Sequence, residues 1–531
     1  MSTVDNSGRE DTARNSAIVL VFTLTSRATG LVRVLVIGAL MGDTFFANIF
    51  QAGYVLPNTI HSTISGPILA MVLIPSIVRA LDNHGITRSR ELFARVGGRI
   101  VAMTAAAAAL LMLASPLVAW SFTAGIPADQ RDRAFHLTLV LILFVAPQVP
   151  LYALSALGVA AQQSRGKFAL AAAAPGIENI GTIVTVLAAT WIYGQGLQVN
   201  EASDANMIFL GVGTTASVIL HAGLQMYGTW RVGLLGGSVR GYSGDADAKD
   251  AVRRVVRSIP IAVCPAITNY VLTVLAAPVA GGVLVVQLAY QVYYALSYLG
   301  SRAVSMAALP KLAQEAGTEN PRRFGIAWRQ ALYYATLAGL PATCLLASFY
   351  PQTADLLANG EMREANLITN LGLCLLVAAF AQMAGGMHDF GRQALFSRLD
   401  DRGPRIASYV GFFVGIAVAA GTLLLPADGT RLVGLLVCVL AGEAASAITV
   451  LSRMRLRLRP ESFINHTHVV AIGLATLAMA PVIVGGRWLL GTLAPERYLV
   501  LLVLLACGAI ALAAFLAVVR YVGDRITAEA L

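Results

Sequence analysis

Charge is what this chain has least of. Asp, Glu, Lys and Arg make up 12% of its 531 residues, about half of the roughly 25% carried by a soluble globular protein. With 57% of the residues hydrophobic, there is too little polar surface to cover the cores that a soluble chain of this length would bury. A water-soluble enzyme is excluded before any motif is read, and a membrane protein with many spans remains. Lysine is scarcer still: Lys167, Lys249 and Lys311 are the only three among 38 basic residues. A formal excess of +10 would suit nucleic acid or an anionic membrane surface. The hydropathy decides for the membrane, so no nucleic-acid partner is expected.

Other absences narrow the chemistry. The five cysteines, Cys264, Cys344, Cys374, Cys438 and Cys507, lie singly in apolar runs with no CxxC pair, and read as small buried hydrophobes. There is no GxxxxGK[ST], HExxH or GxSxG and no Cys/His cluster, so no catalytic residue, metal or cofactor is expected. Asn465-His-Thr467 matches a glycosylation acceptor, but falls on the side assigned to the cytoplasm. Residues 1–16 are hydrophilic with no cleavage pattern and read as a cytoplasmic tail.

What is present is a series of apolar stretches. A spanning helix needs about 20 mostly apolar residues, and fourteen stretches qualify: about 17–41, 45–78, 100–125, 134–162, 168–193, 206–230, 258–276, 280–309, 330–349, 365–390, 406–426, 432–452, 469–486 and 498–519. The second and eighth are longer than one crossing needs and hold Pro57, Pro67 and Gly300, so bends or broken helices are expected there. With the N-terminus inside, 29 of the 38 basic residues fall in cytoplasmic tails and loops, six fall outside and three lie within spans. The positive-inside rule thus supports fourteen spans with both termini cytoplasmic.

A weak internal repeat suggests two halves. Gln51-Ala-Gly-Tyr54-Val-Leu56 in the second span resembles Gln291-Val-Tyr-Tyr294-Ala-Leu296 in the eighth, at an offset near 240 residues. The expected fold is therefore an all-α polytopic membrane protein of about 14 helices. Its parts are an N-lobe over 17–230, a cytoplasmic linker over 231–257 and a C-lobe over 258–452. A basic cytoplasmic loop over 453–468, two further spans over 469–519 and a cytoplasmic tail over 520–531 complete it.

Ionisable residues inside spans are costly and usually face a cavity or a partner. In Ser26-Arg27-Ala-Thr-Gly30-Leu-Val-Arg33 two arginines lie near the middle of the first span. A guanidinium matches phosphate oxygens bidentately, so Arg27 and Arg33 are candidates for an anion site; the alternative is ion pairing with Glu178 or Glu443. His61 and Arg302 are further candidate cations. Glu178-Asn179 and Glu443 sit near mid-membrane, where a carboxylate can bind Na⁺, cycle a proton or pair with an arginine. His388-Asp389 reads as interfacial.

Particular residues then resemble the lipid II flippases, the MurJ/MviN family of the MOP exporter superfamily. Ser26-Arg27, Gly30, Arg33, Leu56-Pro57-Asn58 and Pro75 resemble the family's opening. Gln163-Ser-Arg165-Gly-Lys-Phe168 with Pro175, Gly339-Leu340-Pro341, and Phe396-Ser397-Arg398 with Pro404 follow in order. The resemblance implies two six-helix lobes around a central cationic cavity, with spans thirteen and fourteen forming a groove for a lipid tail. It also implies movement of a polyprenyl-diphosphate-linked glycan from the inner to the outer leaflet of a bacterial plasma membrane by alternating access.

Arg27, Arg33, His61 and Arg302 are then the expected headgroup ligands, with Ser26, Asn48, Gln51, Asn58 and Gln291 as polar cavity residues. Glu178, Asn179 and Glu443 are the candidates for coupling to Na⁺ or H⁺, with the membrane potential as the other driving force. The expected partners are the lipid-linked substrate, membrane lipids and cell-wall synthesis enzymes, with the chain acting as a monomer. Several positions depart from the family: Asn48 replaces an acid, His61-Ser62 replace paired arginines, Gly66 replaces a glutamate, and Tyr290-Gln291 replace an Asp-Arg pair. An ion-coupled multidrug exporter of the same superfamily and a non-transporting cell-wall scaffold are the alternatives.

Overall fold

The computed structural model describes residues 21–22, 25–64, 67–317, 320–363, 365–398, 400, 402–458, 463–493 and 496–529. Among these, the regular elements are all helical, as an apolar chain in lipid requires, because a helix satisfies its backbone groups internally. Ten helices are long and apolar enough to cross a membrane, and two shorter apolar ones, Val263–Ala276 and Gly282–Ser297, accompany them. Their outward faces are apolar: Trp191 is 88% exposed and Leu424 91%. Such surface suits lipid and not water.

The chain divides into two compact units. The first comprises Met1–Leu284 with Gly360–Met362, and the second Val285–Asn359 with Arg363–Leu531. In the first unit, α1 covers 25–41 and is followed by α2 (Phe45–Ile64), α3 (Pro67–Leu113), α4 (Ser115–Thr123) and α5 (Ala128–Val145). Then come α6 (Gln148–Ser164), α7 (Ala169–Tyr193), α8 (Asp204–Arg231) and α9 (Ala246–Ala276). α3 is bent at Gly85, whose φ of 76° a side chain would resist. Leu73, Ile77 and Val96 of α3 pack on Leu157 of α6 and on Val252 and Val255 of α9. Asp245 starts α9 by accepting from the Ala248 amide at 3.1 Å, while Arg88 and Arg95 grip the same carboxylate, each at 2.7 Å.

The second unit contains α10 (Gly282–Leu299, from Val285 onward), α11 (Ser301–Gly317), α12 (Pro321–Leu357), α13 (Ala365–Ser397), α14 (Arg402–Gly421), α15 (Gly429–Leu458), α16 (His466–Leu493) and α17 (Arg497–Glu529). The long eighth stretch is broken at Gly300, as expected. A side chain there would press on the Ala338 carbonyl oxygen at 3.1 Å. Trp328 of α12 stacks on Phe390 of α13 at 4.8 Å between centroids, and Val450 and Met454 of α15 close the same core. Asn465, the would-be glycosylation acceptor, receives the Thr467 amide at 3.1 Å and begins α16, so this triplet is a helix-start signal.

Candidate functional site

A polar cluster buried in the first unit draws on five helices. On α1, Ser26, Thr29 and Arg33 recur at helical spacing and face α7, whereas Arg27 projects from a different face and is exposed. Asn179 of α7 ties this face down: its amide nitrogen donates to the Ser26 carbonyl at 3.2 Å and to Thr29 Oγ1 at 3.1 Å. Its oxygen accepts from Arg33 Nη1 at 2.7 Å.

Arg33 also donates to the Tyr54 hydroxyl at 2.7 Å, and its guanidinium carbon lies 4.5 Å from the centroid of that ring. Its Nε is buried without a partner among the described residues. Glu178, one residue from Asn179 on α7, points away from α1 into a ring of donors. Oε1 accepts from Tyr54 at 3.2 Å and from Tyr152 of α6 at 2.7 Å. Oε2 faces Nδ1 of His221 on α8 at 2.7 Å. A carboxylate 7% exposed is tolerable in the membrane interior because its lone pairs are occupied in this way.

The other predicted residues of this unit are placed differently. His61 lies beside the cluster, its ring 5.3 Å from that of Tyr152. Gln51, one turn before Tyr54, is 1% exposed, and its Oε1 has no partner among the described residues. Asn58 is exposed. Asn48 is engaged by backbone: its amide nitrogen donates to the Ala277 and Val279 carbonyls at 3.1 and 2.6 Å, and its oxygen accepts from the Val283 amide at 3.0 Å. It joins α2 to the turn after α9.

The second unit contains a counterpart. Glu443 of α15 accepts from the Tyr293 hydroxyl of α10 at 3.2 Å and faces Nδ1 of His388 on α13 at 2.9 Å. His388, expected to be interfacial, thus has a carboxylate partner across the helix pair, where chain order does not show it. Tyr290 and Tyr293 stack at 5.5 Å, and Tyr294 closes on both. Gln291 is half-buried. Arg302 lies in α11, and its side chain falls outside the described residues. Neither His221 nor Tyr152 was singled out by the sequence; the available signal was that an intramembrane carboxylate needs donors from neighbouring spans.

The second unit also holds an apolar cavity of about 910 Å³ between α11, α12 and α17. Ala308, Leu337, Leu512 and Leu516 line its body, and Lys311, Gln330 and Tyr334 add polar groups. Lys311 donates to Gln330 at 3.0 Å. α16 packs beside α17 and α12.

The sequence matches a family model described as lipid II flippase MurJ over residues 37–508. A relative from Rhizobium tropici, described as a probable lipid II flippase MurJ, is 23% identical over 508 residues, spanning 93% of this chain and 92% of its own. Among solved structures, a lipid II flippase MurJ in an inward closed conformation superposes with a TM-score of 0.75 at 14% identity, covering 96% of this chain and 100% of that one. An inward-facing MATE multidrug resistance transporter of the MOP superfamily gives a TM-score of 0.63 at 13% identity, covering 83% of this chain and 98% of that one. At these identities the two superpositions speak for the fold alone.

Proposed function

The chain belongs to the MurJ family of lipid II flippases, and on that premise we propose that it moves a polyprenyl-diphosphate-linked glycan precursor across the membrane by alternating access. Lipid II or a related cell-envelope intermediate is the substrate, carried from the inner to the outer leaflet. A diphosphate headgroup cannot cross hydrocarbon unaided. A cation in the membrane interior is the part such a substrate requires.

The observation that carries this reading is the state of Arg33. It is held by a phenol and an amide, and makes no ion pair among the described residues. Neutral acceptors can be exchanged for phosphate oxygens, which bind a guanidinium more strongly. The apolar cavity bounded by α11, α12 and α17 has the chemistry of a lipid-tail site, with Lys311 as a cation near the tail. Fourteen spans with both termini cytoplasmic fit the sorting of basic residues. We read Arg27, Arg302 and His61 as secondary headgroup contacts and Asn58, Gln51 and Gln291 as cavity polar groups.

A multidrug exporter that bound cations would need an available carboxylate. Glu178 and Glu443 are each occupied by tyrosine and histidine donors, which favours the anionic substrate. The test is transport: the full chain is reconstituted in liposomes with labelled lipid II, and access of the label to an impermeant reagent is followed. Protein-dependent exposure of the label is expected. If folded protein moves neither lipid II nor another polyprenyl-diphosphate-linked glycan, the flippase reading fails and the scaffold reading gains.

A further inference from the structure

We propose that the Glu178–His221 pair is a proton-binding site whose occupancy decides whether Arg33 is held by Tyr54 or released to an anionic lipid headgroup. The inference rests on the flippase reading for the identity of the lipid; the proton site itself rests on geometry.

Every group that meets Glu178 can donate to it when it is ionised. Tyr54 of α2, Tyr152 of α6 and Nδ1 of His221 on α8 take both carboxylate oxygens. A metal ion such as Na⁺ needs several oxygen lone pairs turned toward one point, and here the hydrogens point inward to the carboxylate. A proton has no such requirement. With Glu178 ionised, the Nδ1 hydrogen of His221 points to it, and Nε2 is left as the basic position. That nitrogen is buried and has no partner among the described residues. Protonation there gives an imidazolium against a carboxylate, an arrangement in which each charge stabilises the other. The remaining charged or titratable neighbours are Arg33 of α1, which reaches Glu178 through Tyr54, and His61 of α2, which lies on Tyr152.

Tyr54 makes the proton and the arginine interdependent. Its hydroxyl accepts from Arg33 and donates to Glu178, and a hydroxyl that donates to an anion is a stronger acceptor. Without the extra proton, Arg33 and Glu178 balance, and the chain of hydrogen bonds clamps the guanidinium. With it, the Glu178–His221 pair is neutral and the cluster carries one net positive charge. The bond from Tyr54 to Glu178, at 3.2 Å longer than the other two, then weakens, and Arg33 loses its polarised acceptor. A diphosphate is the group that a freed guanidinium would take. Because coupling between two bound species is reciprocal, lipid binding must draw a proton in.

Two measurements on the full chain in lipid nanodiscs test this. The first is difference infrared spectroscopy without added lipid, scanned from about pH 5 to about pH 9, where an imidazole ordinarily changes charge. Wild type should show a pH-dependent histidine–carboxylate signal from which Glu178→Gln and His221→Gln each remove the same component, and Glu443→Gln, the same change in the second unit, should leave that component in place. The second is binding of a short-chain polyprenyl diphosphate in weak buffer with a pH dye. Wild type should take up as much as one proton per lipid, with affinity changing by at most about tenfold per pH unit, and Glu178→Gln should bind without pH dependence. A wild-type signal that is absent, or unchanged in folded Glu178→Gln, overturns the proton site. Equal pH dependence of lipid binding in wild type and Glu178→Gln overturns the link to Arg33. If no polyprenyl diphosphate binds at any pH, the flippase reading fails and the infrared result still decides the proton site.

Discussion

Arg33 donates to the Tyr54 hydroxyl at 2.7 Å while lying over the same ring at 4.5 Å, so one tyrosine holds the α1 cation by both its polar tip and its π face. The hydroxyl and the ring have separable effects. Tyr54→Phe keeps the ring and removes Arg33's acceptor and one of Glu178's donors. A loss of about 2–4 kcal/mol in stability is expected from two hydrogen bonds to charged groups, with a larger proportional effect on lipid binding. Thermal unfolding in detergent beside equilibrium lipid binding separates the two; an unchanged lipid affinity would show that Tyr54 does not govern Arg33.

The close approach of α14 and α15 depends on glycine. A side chain on Gly411 would come within 2.6 Å of the Gly442 carbonyl oxygen and closer still to Ser446 Oγ, whereas one on Gly473 meets nothing within 4 Å. Gly411→Ala should therefore cost about 1–3 kcal/mol, and Gly473→Ala should be neutral or slightly stabilising. Melting temperatures of the two variants check the contrast, and equal values would remove it.

Outside the spanning segments, Asp400 should make stability depend on acid. The Arg453 guanidinium holds its carboxyl down to about 2, against the burial that pushes it up, with the Gly403 amide and Arg457 assisting. The folded value lies below the ordinary unfolded value of about 3.9. The contribution is therefore complete above about pH 4 and disappears as pH falls toward about 2. Asp400→Asn should cost about 1–2 kcal/mol at neutral pH, allowing for solvent screening of the part-exposed arginines. The difference from wild type should close across that acid window, and urea unfolding at several pH values reads it.

Filling the apolar cavity should displace a lipid tail without touching the buried cluster. Ala308→Phe puts a ring into the space between α11, α12 and α17. Native mass spectrometry should show less co-purifying lipid than in wild type, while the infrared signal of the Glu178–His221 pair persists. Undiminished lipid would mean that the cavity does not hold a tail.

The sequence carried some of these features plainly and others not at all. Arg33 and Glu178 stood out because an ionisable residue in an apolar run has no inexpensive explanation, and Asn179 was noted as the polar neighbour of Glu178. Gly300 broke its helix where a span too long for one crossing contained it. The bend at Gly85 lies in a polar stretch where hydropathy is silent. His221 and Tyr152 escaped notice because each is ordinary in its own span and acquires meaning only from a carboxylate on another helix. The repeat shows the same limit. An offset of 240 residues matches Tyr54 to Tyr294, yet Tyr293 is the residue that reaches Glu443. One residue turns a helical side chain by about 100°, and short sequence matches do not fix register that finely.

Arg33 is where fold and function meet, and binding of a polyprenyl diphosphate to Arg33→Ala, Arg33→Lys and wild type tests it most directly. Loss of a bidentate charged contact predicts about tenfold or more weaker binding in Arg33→Ala. Arg33→Lys should recover only part of it, because an ammonium keeps the charge but not the fork. Arg33→Ala also loses the bonds to Tyr54 and Asn179 and should melt lower than wild type, so affinity is compared at a temperature where all three are folded. Equal affinity in folded Arg33→Ala and wild type would contradict the account.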